Sequence, residues 1–116
     1  MKSHPLHHRM RWALTGLREC WRTEGSFRTQ CFFVGLGLAL FAVVRPAPIW
    51  WALAILTGAL SLGAELMNSA LERLADRLHP EQHADIGAAK DMAAGAVFTL
   101  ALAGATIAVL AVLSTL

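Results

Sequence analysis

Charge is scarce in this chain. Only 16% of its 116 residues are Asp, Glu, Lys or Arg, while 56% are hydrophobic. A soluble domain of this size would carry more charge, with its apolar residues in short periodic stretches. Cysteine is scarce too. Cys20 and Cys31 are too few for a disulfide framework, and both fall near the side expected to be reducing. The first 26 residues hold Arg9, Arg11, Arg18, Glu19, Arg22 and Glu24 and so lack the apolar core of a secretory signal, and no cleaved leader is expected. No G-x-x-x-x-G-K-[ST] phosphate loop and no kinase-type glycine loop occurs, which sets aside the ordinary nucleotide-binding folds.

What is present is apolar sequence in blocks: Cys31–Val44, Ile49–Ala64 and Met92–Leu116. The last holds 25 uncharged residues, enough to cross about 30 Å of hydrocarbon. The middle block reaches a span if Leu66 and Met67 are counted, and the first if Phe27–Gln30 lies at the interface. The expected fold is therefore an all-α membrane protein of one domain, residues 1–116. Residues 1–8 form a flexible tail, 9–26 an amphipathic surface helix and 27–116 a bundle of three transmembrane helices. In the surface helix Met10, Leu14, Leu17 and Trp21 make an apolar stripe opposite Arg11, Thr15, Arg18 and Arg22. That pattern suits a helix lying on a membrane or docked on the bundle.

Six of the ten Lys and Arg residues precede the first span, and Arg73, Arg77 and Lys90 flank the second connection. The positive-inside rule places the amino terminus and the 77–90 loop in the cytoplasm, with Trp50 and Trp51 anchoring the opposite face. The placement of the net charge of +2 suggests anionic headgroups as partners, not nucleic acid. His4, His7 and His8 stand without carboxylate or Cys neighbours and read as a solvated tail.

The stretch "GAELMNSALERLAD", residues 63–76, breaks this pattern. At about 100° per residue, Glu65, Asn68, Ser69, Glu72 and Asp76 share one helical face roughly 100° wide. Asp76 is explained by water at the membrane boundary. Glu65 follows sixteen uncharged residues, and burying a carboxylate there costs several kcal/mol unless it has partners. Hard divalent cations take oxygen ligands, and Mg²⁺ commonly uses one or two carboxylates plus nucleotide phosphates. A further carboxylate serves as general base toward a hydroxyl. Lys90, beside Asp91, is placed to neutralise phosphate oxygens. Together these suit phosphoryl transfer.

"GAELMNSALERLADRL", then "EQHADIGAAKDMAAGAV", with "GLRECWRTEGSFRTQ" upstream, resembles the small prokaryotic lipid kinases: diacylglycerol kinase and its undecaprenol kinase relatives. The resemblance implies a three-span bundle with a surface helix, assembled as a homotrimer with shared active sites in the bacterial inner membrane. It implies phosphorylation of a lipid alcohol by ATP with Mg²⁺ at the cytoplasmic interface: diacylglycerol to phosphatidic acid, with undecaprenol as the alternative acceptor. Carried over by motif, Glu65 falls at the catalytic base and Asn68 beside it, and Glu24 and Glu72 at the metal carboxylates. Trp12, Glu81, Gln82, His83, Lys90 and Asp91, together with those two carboxylates, fall at nucleotide positions. Arg9 and Ala94 fall with Glu65 and Asn68 on the lipid side. Ala94 stands where the diacylglycerol kinase branch often has a small polar residue, so "KDMAAGAV" is nearer the undecaprenol branch. Gln30 replaces a family glutamate, and Pro5 stands where an arginine is expected, which Arg9 would replace. The competing classes are a small multidrug transporter, which needs four spans and a carboxylate in the first, and a non-catalytic membrane subunit.

Overall fold

A computed structural model describes residues 3–116. The described residues form four helices: α1 (Leu6–Thr23), α2 (Gly25–Val44), α3 (Pro48–Leu78) and α4 (Ala84–Ser114). The last three are each long and apolar enough to cross a membrane. At 1.5 Å per residue the 31 residues of α3 and of α4 run about 46 Å, well beyond a hydrocarbon core of about 30 Å. The excess carries the charge. Both helices keep their uncharged residues toward one end and their carboxylates and Lys90 toward the other.

Contacts fix the directions. Ser26 meets Glu65, Gln30 meets Ser61 and Phe41 meets Trp51, so α2 and α3 are antiparallel. Asp76 meets Lys90, while Thr57 lies beside Gly104, so α4 runs antiparallel to α3. The α1–α2 junction and the α3–α4 loop therefore share one end of the bundle. At the other end Phe41 is buried edge-on against Trp51, ring centroids 5.6 Å apart. Arg45 ends α2 in the left-handed conformation, φ 54°, because Pro46 disfavours a further helical residue before it. Pro48 then starts α3 where its missing N–H costs nothing. Gly58 is needed for close packing: a Cβ there would stand 3.1 Å from a methyl of Val34.

The surface helix differs from its expected limits of 9–26. It starts at Leu6, because the Pro5 carbonyl accepts from His8 and Arg9, so part of the expected tail is helical. It stops at Thr23 because Glu24 is extended, φ −115° and ψ 105°, and Gly25 already begins α2. Met10, Leu14, Leu17 and Trp21 are all exposed, so the apolar stripe is not spent on this chain's own bundle. A membrane surface would cover it. Within α1, burial is confined to Cys20.

Candidate functional site

Glu65 sits where α3 passes α2 near the charged end, and it is only 4% exposed. Burial of a carboxylate demands hydrogen-bond partners, and α2 supplies both. The Ser26 hydroxyl donates to Oε1 at 2.5 Å, and the Gln30 amide Nε2 donates to Oε2 at 2.9 Å. Gln30 is held in turn by Ser61, whose hydroxyl donates to the amide oxygen at 3.0 Å. Ser61 and Glu65 are four residues apart on α3, as are Ser26 and Gln30 on α2, so each pair lies on one helical face. The network is the meeting of two such faces.

One turn on, the Oδ1 atom of Asn68 is buried without a hydrogen-bond partner among the described residues. A buried acceptor left open is costly, and this one suits an incoming donor such as a substrate hydroxyl. Ser69 is buried beside Cys20, and burial pushes the Cys20 thiol up from its ordinary value, opposed by its hydrogen bond with Ser69. Arg73 then ties α3 to the end of α1. It donates to the Thr23 hydroxyl at 2.8 Å and lies 3.6 Å from both Glu19 and Glu24. A hydrogen bond from Arg22 holds the Glu19 carboxyl below its ordinary value. Arg28 donates to the Trp21 and Arg22 carbonyls, which satisfies acceptors left open where α1 ends.

Glu24 and Glu72 are both half-buried at this end. Glu24 has only the long contact to Arg73, and Glu72 takes no part in the ion pairs that hold Glu19 and Asp76. No cluster of three or more metal-ligating side chains forms among the described residues. Two carboxylates with spare lone pairs fit a hard cation that completes its shell with phosphate oxygens and water.

The loop residues converge. Asp76, Glu81, Gln82, His83 and Lys90 line one cavity of about 470 Å³ between the end of α3 and the start of α4, within the usual range for a small-molecule site. Lys90 donates to Asp76 at 2.5 Å across it. His83 also serves the fold, because its Nδ1 accepts from the Asp85 amide and caps α4. Asp91 is exposed beside Lys90, and Ala94 is exposed one turn further along α4. Arg9 is exposed in the first turn of α1, and Trp12 packs against His4 and His8. Neither Trp12 nor Arg9 lines the loop cavity.

Sequence reasoning passed over Ser26 and Ser61 and noted Gln30 only as a replacement. A signal was available: two polar pairs, each four residues apart, one in the first turns of α2 and one midway along α3.

Residues 11–113 match the family model described as prokaryotic diacylglycerol kinase. The chain is 33% identical over 88 residues to a diacylglycerol kinase of Haemophilus influenzae, covering 76% of this chain and 75% of the relative. It is 35% identical over 82 residues to a diacylglycerol kinase of Escherichia coli K12, covering 71% and 67%.

Proposed function

Because the chain belongs to the prokaryotic diacylglycerol kinase family, we propose that it transfers the γ-phosphoryl group of ATP to the hydroxyl of a membrane lipid, diacylglycerol in the first instance. The observation that carries the mechanism is the buried Glu65 carboxylate, held by Ser26 and Gln30 on a membrane-spanning helix. Glu65 is the general base. The lipid oxygen attacks the γ-phosphorus as its proton passes to Glu65. The new O–P bond forms while the bond to the bridging oxygen of ADP breaks, and ADP departs. Asn68, one turn from Glu65, borders the lipid headgroup. Lys90 exchanges Asp76 for phosphate oxygens, and Glu81, Gln82, His83 and Asp91 border the nucleotide. Glu24 and Glu72 hold Mg²⁺, which supplies charge neutralisation on the phosphate oxygens when bound.

The lipid side has support of its own. A cavity of about 370 Å³ runs between α2, α3 and α4 from Gln30 and Ser61 down to Phe41. Its lining is mostly apolar, as a hydrocarbon chain requires. Its polar end adjoins the Glu65 network.

The charged end faces the cytoplasm, where ATP is available, as the Lys and Arg distribution favours. In a homotrimer with shared sites Trp12, which does not line its own chain's loop cavity, serves the nucleotide of a neighbouring copy, and Arg9 serves the lipid side. Undecaprenol is the second acceptor to consider, on the strength of Ala94 in "KDMAAGAV". Labelled ATP offered to mixed micelles holding diacylglycerol and undecaprenol together tests the reading. Label in phosphatidic acid supports the first acceptor, label in undecaprenyl phosphate replaces it with the second, and label in neither overturns the kinase reading.

A further inference from the structure

We infer that Gln30 and Ser61 form a positioning relay for Glu65 that keeps every hydrogen bond intact in both proton states of that carboxyl group. The inference rests on the reading of Glu65 as the base. A general base must be accommodated twice in each turnover, once as an anion and once carrying the substrate's proton. Glu65 is buried, so water does not make the adjustment. In the observed arrangement the ionised carboxylate accepts from Gln30 Nε2, and Ser61 donates to Gln30 Oε1. An amide carries a donor and an acceptor on one planar group, and a hydroxyl both donates and accepts. When Glu65 gains a proton and its carboxyl group presents it toward α2, turning the Gln30 amide by half a revolution brings Oε1 to the new O–H and Nε2 to Ser61. Ser61 then accepts instead of donating. No partner is lost and no atom moves far. The Ser26 hydroxyl donates to the other carboxyl oxygen throughout.

The relay is particular to glutamine at position 30, where the family resemblance leads to a glutamate. A glutamate at position 30 would set two carboxyl groups about 3 Å apart, able to share one proton but not both to ionise. A methionine would fill the space and offer neither donor nor acceptor. Alanine at 61 would leave the amide free at its far end, so nothing would favour the orientation that faces its N–H toward the carboxylate.

The test is a double-mutant cycle on turnover in mixed micelles, with rates expressed per folded enzyme and thermal stability followed in parallel. Gln30→Met should lower kcat about 10-fold or more, as loss of a hydrogen bond to a charged group does, with the KM for ATP within about twofold. Ser61→Ala should lower kcat less. Ser61→Thr, which keeps the hydroxyl and has the adjoining cavity for its methyl group, should recover most of that loss. In a Glu65→Gln background, Gln30→Met should have no further effect on kcat, because the group it positions is gone. A Gln30→Met loss that persists in full in that background, or a kcat unchanged by both Gln30→Met and Ser61→Ala while Glu65→Gln is inactive, overturns the relay and leaves the kinase reading standing. Full turnover by Glu65→Gln itself overturns the base assignment and the relay together.

Discussion

Lys90 Nζ stands 2.5 Å from Asp76 Oδ1, joining the start of α4 to the end of α3 across a polar cavity. The side chains are 33% and 67% exposed, so the pair is worth no more than about 1 kcal/mol to stability. Its significance is positional. On the proposed function, Asp76 would hold the ammonium group over the cavity until phosphate oxygens displace it. Lys90→Met should therefore raise the KM for ATP about 10-fold, the scale of a charge-assisted hydrogen bond, with little change in melting temperature. An unchanged KM would remove Lys90 from the nucleotide site. Asp76→Asn should leave the KM for ATP equal or lower, since it removes a competitor for the ammonium group.

The metal assignment depends on Glu24 and Glu72, half-buried and only loosely engaged. Glu24→Gln and Glu72→Gln should each raise the Mg²⁺ concentration needed for half-maximal rate by about 10-fold or more, while circular dichroism stays unchanged. Full activity of both variants at limiting Mg²⁺ would show that the ion, if used, is held elsewhere.

Much of the fold was legible because its signals are local. Uncharged blocks at Cys31–Val44, Ile49–Ala64 and Met92–Leu116 became α2, α3 and α4, since length and apolarity alone decide what crosses a bilayer. The shared face of Glu65, Ser69, Glu72 and Asp76 followed from helical periodicity. Its division of labour did not. Glu65 is buried against α2, Glu72 is half-buried, and Asp76 is exposed with Lys90. Those differences depend on residues 35 or more positions away in one case and 14 in another. The same holds for Cys20, to which the sequence assigns no role and which proves to be the buried residue that seats α1 beside Ser69. The break at Glu24 was signalled by Gly25, a residue common just past a helix end, but Gly25 also opens the next helix, so the two helices run together in the sequence.

The α1–α3 contact should respond to acid. The Arg22 hydrogen bond depresses the Glu19 carboxyl, and Arg73 adds to it. A depressed carboxyl stabilises above the ordinary glutamate value of about 4.3, and its contribution is lost as pH falls through the lower folded value. The protection of α1 amides relative to their intrinsic exchange rates should therefore fall below about pH 4, and Glu19→Gln should remove that pH step. The same step in the variant would assign it to another group.

Orientation is open to labelling in a background lacking Cys20 and Cys31. A cysteine placed near Pro48 should react with an impermeant reagent added to intact cells, and one near Gln82 should react only after permeabilisation. The reverse would put the proposed nucleotide cavity on the side without ATP.

Whether Glu65 takes the proton of the lipid hydroxyl is decided by the steady-state rate of Glu65→Gln. Glutamine keeps size and hydrogen-bonding capacity but is no base. Loss of a general base costs about 10²–10⁴-fold. The variant should therefore show kcat reduced by at least about 100-fold, with the KM for ATP within about twofold of the parent's. A preserved kcat with weakened ATP binding would contradict this role, making Glu65 a binding residue and moving the proton to Asp76 or to no side chain.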